Sequence, residues 1–204
     1  MEAKDSYSTI AAPVNGVLLK ERKSKFFGHA YPIASEDEVK PLLETLQKTY
    51  PTANHFCYAW QLGTEDRSHR ANDDGEPNNS AGMPIYGQIQ SFDLTNLLLV
   101  VVRVFGGTKL GVGGLITAYR ETAKETLQRA NIVTKTIEVP LVLSFGYAEM
   151  NKVMRLVRTK KLRITAQQMG LECQMTLAVR KGKLNEVKKT LEAHRKITIV
   201  QGTP

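Results

Sequence analysis

VVVRVFGGTKLGVGGLITAY, running from Val100 to Tyr119, joins three kinds of sequence in twenty residues. An aliphatic run, Leu97 to Val102, leads in and continues past Arg103 to Val104 and Phe105. Five glycines then fall within nine residues, at 106, 107, 111, 113 and 114, with Thr108, Lys109 and Leu110 among them. Leu115, Ile116, Ala118 and Tyr119 follow at helical spacing. The order predicts a strand, a glycine loop and a helix starting near Gly113. Each glycine adds conformational freedom that folding must remove, roughly 0.5–1 kcal/mol relative to alanine. Two uses justify such a loop. One is an anion site, in which backbone N–H groups and the positive end of the helix dipole face a phosphate or carboxylate. Its candidate residues are Arg103, Gly106, Gly107, Lys109, Gly111, Gly113 and Gly114. The other is a tight, ligand-free turn packed on a neighbouring strand. The spacing leaves both open.

Upstream of this stretch, residues 1 to about 12 are expected to be loosely ordered. Val17–Leu19 and Phe26–Ile33 predict two short strands around a basic turn, Lys20 to Lys25. Ser35 and Glu38 have the spacing of a capping box, and Val39, Leu42, Leu43, Leu46 and Tyr50 share one helical face. Pro41 fits only a helix that starts later than Ser35, or one that kinks. His55, Cys57 and Ala59 alternate with Phe56, Tyr58 and Trp60, the pattern of a strand.

Residues 63–84, GTEDRSHRANDDGEPNNSAGMP, predict one long polar loop. Within it Asp73, Asp74 and Glu76 are candidate catalytic groups, able to orient His55 or His69 for proton transfer or to hold Mg²⁺. The competing expectation is a capped turn whose acids pair with Arg103 or Lys109. The spacing is not that of a calcium loop, and no metal or cofactor is expected. A short helix is predicted over Pro84–Phe92, and the helix after the glycines runs on through Ala123, Leu127 and Ala130.

From Pro140 the pattern restarts. Apolar residues 141–145, 153–157, 162–164, 171–179, 184–191 and 197–200 predict strand, helix, strand, strand, helix, strand, the ferredoxin-like β-α-β-β-α-β plan. The chain has 204 residues and a net charge of +8, and from Val139 onward 13 Lys and Arg stand against 4 Asp and Glu. Such asymmetry predicts two units, 1–138 and 139–204, the second with a polyanionic partner. Its candidate nucleic-acid contacts are Lys152, Arg155, Arg158, Lys160, Lys161 and Arg163 around the first helix. Arg180, Lys181, Lys183, Lys188 and Lys189 join them around the second. The longest aliphatic run is six residues, far below a membrane span, so no membrane is expected. The start, MEAKDSYST, lacks the basic-then-apolar pattern of an export signal, and a cytoplasmic protein is expected. Cys57 and Cys173 match no metal spacing and are expected as free buried thiols.

Several motifs resemble the YigZ/IMPACT family: Asn54-His55, Asp73 through Pro77, Ala81 through Ile85, and Val102 through Leu115. Ser24-Lys25-Phe26 is similar to the family's short N-terminal motif, with Lys where Arg is usual. The resemblance implies an α+β chain. Its front part would be like the second domain of ribosomal protein S-five, a sheet backed by two helices. Its ferredoxin-like back part would be similar to the fifth domain of elongation factor G. The resemblance also implies a role near translation, regulatory in eukaryotic relatives, which bind a partner of the kinase pathway acting on initiation factor two. It brings no established catalytic activity.

The leading expectation is a non-enzymatic protein that binds RNA or the ribosome, with a possible translation-related protein partner. One alternative is a phosphate- or nucleotide-binding enzyme using the glycine-rich loop, although GxxxxGK[ST] is absent. The other is a protein-interaction module that docks through the acidic loop. Nothing in the sequence specifies an oligomeric state.

Overall fold

The computed structural model describes residues 5–200. Its contacts divide the chain into two compact units. One is Tyr7–Lys135, and the other is built from Thr136 onward together with the residues preceding Tyr7. The architecture is α+β in both.

The first unit is organised on β6, Leu97–Val104, the middle strand of a five-stranded sheet. The other strands are β2 (Val14–Glu21), β3 (Ser24–Pro32), β4 (His55–Leu62) and β5 (Ser68–Asn72). The order is β2-β3-β6-β4-β5, with antiparallel neighbours throughout. Successive side chains of a strand face opposite sides. Leu97, Leu99 and Val101 therefore enter one core, and Leu98, Val100 and Val102 enter another. That double burial explains the unbroken aliphatic run.

Two helices, α2 (Gly82–Ser91) and α3 (Gly111–Gln128), supply the core on the Leu99 face. A third, α1 (Val39–Thr49), covers the Val100 face with Val39 and Leu46. The helix before α1 is a short 3-10 turn, Glu36–Glu38. Glu38 Oε1 accepts the N–H groups of Ala34 and Ser35 at 2.7 and 3.0 Å. Starting α1 at Val39 places Pro41 in its first turn, where a missing N–H goes unnoticed.

Two expectations need correction. Residues 6–10 are ordered as β1 (Ser6–Ile10), which pairs with β7 (Ile132–Thr136), while residues 1–4 lie outside the described residues. The polar stretch 63–84 is also not one loop. Ser68–Asn72 form edge strand β5, which needs only β4 for its ladder and so shows no apolar pattern.

The second unit follows the expected order: β8 (Glu138–Gly146), α4 (Met150–Thr159), β9 (Arg163–Gln168), β10 (Glu172–Arg180), α5 (Leu184–Glu192) and β11 (Ile197–Val200). Its sheet runs β11-β8-β10-β9, all antiparallel. Val153, Val157, Val187 and Leu191 from both helices share one core with Leu143, Met175 and Leu177 of the sheet.

Candidate functional site

The two-residue period of β6 also places Arg103. It continues the row of Leu97, Leu99 and Val101, on the face covered by α3. Its cross-strand neighbours are Phe26 on β3 and His55 on β4. Phe26, Arg103 and His55 thus form one row across three strands. The guanidinium lies 5.5 Å from the Phe26 ring centre and 5.3 Å from that of Phe105.

Glu76 meets this row from the loop after β5. Its Oε1 accepts Arg103 Nη1 at 2.6 Å and the Tyr119 hydroxyl at 2.8 Å. Arg103 is 5% exposed and Glu76 8%. His55 Nε2 stands 3.9 Å from the same carboxylate oxygen, too far for a hydrogen bond. His55 Nδ1 lies 2.8 Å from the Asp74 carbonyl oxygen. A carbonyl only accepts, so Nδ1 carries the proton, and in the neutral ring Nε2 is the acceptor. Burial pushes the Tyr119 hydroxyl pKa up, and burial does the same to the neighbouring Cys57 thiol.

Part of this group lines a cavity of about 450 Å³. His55, Glu76 and Arg103 make its polar end, Phe105, Leu110, Val112 and Leu115 its apolar walls, and Lys109 stands on its exposed rim. Asn54 fixes one wall: its Oδ1 accepts the Phe105 N–H at 3.2 Å, and its own N–H donates to the Arg103 carbonyl at 3.0 Å.

The other sequence candidates are placed differently. Asp73 caps α2 from a distance. Its Oδ1 accepts Ala81 N–H and Gly82 N–H at 2.9 and 2.8 Å, and its Oδ2 accepts Asn79 N–H at 2.8 Å. Ala81 stands at the N-cap and has no acceptor of its own. Asp74 Oδ2 takes the Phe56 N–H at 2.6 Å. Of the three acids only Glu76 reaches the cavity, and each of the three ties parts of the first unit together. His69 stacks on Tyr86, with ring centres 4.2 Å apart. No group of three or more His, Cys, Asp or Glu among the described residues could hold a metal.

The glycines divide by role. Gly106 is a packing residue: a Cβ there would lie 2.1 Å from Lys23 backbone, and its N–H donates to Ser24 Oγ at 3.2 Å. It is therefore withdrawn as an anion donor. This contact gives Ser24 of the Ser24-Lys25-Phe26 motif its partner. Gly107 and Gly111 have φ of 85° and 73°, the left-handed region. Of the glycines, only Gly111 lines the cavity; Gly113 and Gly114 face a separate cleft beside Leu19 and Glu21.

The second unit carries its own concavity, a groove of about 440 Å³. Lys160, Lys161, Arg163, Arg180 and Lys183 line it, with Glu138 and Glu186. The expected basic surplus is partly neutralised there. Lys160 pairs with Glu186 at 2.5 Å, and Arg163 pairs with Glu138. Arg180 holds Asp5 through Nε at 2.5 Å and Nη2 at 2.9 Å, and the guanidinium draws the Asp5 pKa below its ordinary value. Lys152 pairs with Glu149 at 2.6 Å on α4. Arg155, Arg158 and Lys189 are exposed on the helices and do not line the groove, nor do Lys181 and Lys188.

Sequence reasoning missed Tyr119 as the partner that holds Glu76, and Phe105 and Asn54 as parts of one cavity. The helical spacing of Leu115 and Tyr119 carried a signal for the first, since residues four apart share a face. Asn54 stands beside His55, and its role was not visible without the paired strands.

A family model described as the Impact N-terminal domain matches residues 22–127, which include every cavity residue named above. The IMPACT family member YvyE of Bacillus subtilis is 34% identical over 153 residues, covering 75% of this chain and 70% of that protein. The IMPACT family member YigZ of Escherichia coli is 31% identical over 155 residues, covering 75% of this chain and 76% of that protein. A crystal structure of a hypothetical protein aligns with a TM-score of 0.74 and 25% identity, over 98% of this chain and 99% of the other.

Proposed function

Since this chain belongs to the IMPACT family, with that family's N-terminal domain over residues 22–127, we propose that it binds RNA or the ribosome in the cytoplasm as a non-enzymatic factor in the regulation of translation. The observation that carries the reading is the groove of the second unit, where five Lys and Arg side chains line one concavity with two acids. Basic side chains gathered in this way neutralise phosphates and release counterions, so affinity falls with salt. Lys161 and Lys183 are both exposed and form no ion pair within 4 Å among the described residues, and Lys183 lies close enough to Glu186 to act on its charge. Arg155, Arg158 and Lys189 extend the charge along α4 and α5.

The test is co-sedimentation with ribosomal subunits over a salt series. Wild-type protein should bind at low salt and release at high salt. Lys161→Glu with Lys183→Glu should weaken binding and flatten the log–log salt slope by about 2, close to one per lost phosphate contact. An unchanged slope and affinity would remove the groove from the interface.

A further inference from the structure

The cavity of the first unit has no part in that reading and is built unlike a macromolecular interface. It offers three different chemistries within about 450 Å³, a volume in the range of small-molecule sites.

At one end α3 begins. Its N-cap is Leu110, which has no side-chain acceptor, and no side-chain cap is present. The N–H groups of Gly111 and Val112 therefore lack intrahelical partners at the positive end of an 18-residue helix. Lys109 stands next to them on the rim and forms no ion pair among the described residues. Along the middle run apolar walls that water covers poorly: Phe105 is 42% exposed and Val112 52%, with Leu115 behind them.

At the far end lie His55 Nε2, an acceptor by the tautomer argument, and the Glu76 carboxylate. The gap of 3.9 Å between them is bridged by no direct bond. Arg103 adds little net charge there, because Glu76 already balances it. Its Nε–H, on a side chain only 5% exposed, has no acceptor among the described residues. A donor left unmet in this way costs about 1–3 kcal/mol, a local cost carried at the polar end of the cavity.

We propose that this cavity is a binding site for a small, hydroxyl-bearing organic monophosphate of about nucleotide size. The phosphate sits at Lys109 and the N–H groups of Gly111 and Val112. Three converging donors match three terminal oxygens, where a carboxylate has two. The body lies on Phe105, Val112 and Leu115. A hydroxyl at the other end donates to His55 Nε2 or Glu76. Orientation follows from charge, since Glu76 repels the phosphate from the polar end and Lys109 attracts it to the rim. The site lies wholly within the first unit, and its failure would leave the RNA proposal standing.

The experiment is a titration of the ¹⁵N-labelled full chain, followed by amide shifts. The probes are adenosine monophosphate, ribose 5-phosphate, inorganic phosphate, a hydroxycarboxylate of similar size and a short RNA without a terminal phosphate. The expected result is saturable shifts at the Gly111 and Val112 amides with at least one organic phosphate. Lys109→Ala should weaken that binding by about tenfold or more, while Lys48→Ala in the last turn of α1 leaves it unchanged. The proposal is overturned by the absence of saturable shifts there up to ~10 mM of both organic phosphates. It is overturned equally by inorganic phosphate binding as tightly as either, by tighter binding of the hydroxycarboxylate, or by shifts that only RNA produces.

Discussion

The Arg103 guanidinium and the Glu76 carboxylate meet at 2.6 Å with both side chains almost wholly enclosed, 27 positions apart in the chain. Removing one partner would strand a charge in a poorly solvated place, at about 3–5 kcal/mol, while replacing both with apolar groups is often close to neutral. Glu76→Ala should therefore destabilise the protein by about 3–5 kcal/mol in urea unfolding. The double variant Glu76→Leu, Arg103→Met should recover most of that loss. Additive losses would mean that the two side chains act independently.

Gly106 and Gly113 should respond oppositely to the same change. A Cβ at Gly106 collides with Lys23 backbone at 2.1 Å, so Gly106→Ala should cost about 2 kcal/mol or more. Gly113 has nothing within 4 Å of such a Cβ and lies inside α3, so Gly113→Ala should gain about 0.5–1 kcal/mol. Thermal unfolding of the two variants checks the contrast, and equal shifts would contradict it.

His29 should make stability depend on pH. Its ring is enclosed between Asn15 and Tyr50, with Nδ1 3.2 Å from Asn15 Oδ1 and Nε2 3.1 Å from the Tyr50 hydroxyl. Burial holds its pKa down to about 4, from 6.5. The folded state thus prefers the neutral ring, while the unfolded chain takes up a proton below pH 6.5. The stabilisation is full above pH 6.5 and is lost as pH falls from there toward 4, by at most about 3 kcal/mol. His29→Gln should lack this slope. Parallel urea midpoints for the two proteins across that window would show the ring to be protonated in the fold.

Cys57 should be unreactive in the folded protein. Burial raises its pKa, and its Sγ sits 3.0 Å from the Asp73 carbonyl oxygen and 3.3 Å from the Tyr119 hydroxyl. Cys173 is also buried. A thiol reagent at pH 8 should label neither cysteine in buffer and both in urea. Rapid labelling of Cys57 in buffer would reveal local opening of the fold around Asp73 and Tyr119.

The amino-acid sequence by itself determined the strand, loop and helix around the glycines, the α+β class and the β-α-β-β-α-β order of the second unit. Those features follow from local rules: a run of aliphatic residues buried on both faces, a period of two in strands, and apolar spacing of three and four in helices. Its limits show at particular residues. Ser68–Asn72 are an edge strand with no apolar signature, and residues 6–10 gain order from β7, from the Thr95 N–H donated to the Ser8 carbonyl, and from burial of Ile10. Tertiary structure alone decided which charges are free. Glu76 takes Arg103, Asp73 caps α2, Glu138 takes Arg163, and Asp5 takes Arg180 from 175 positions away. It also decided that Lys109, Phe105 and His55 face one cavity. Charge pairing and cavity walls depend on distances through space, and no local spacing along the chain encodes them.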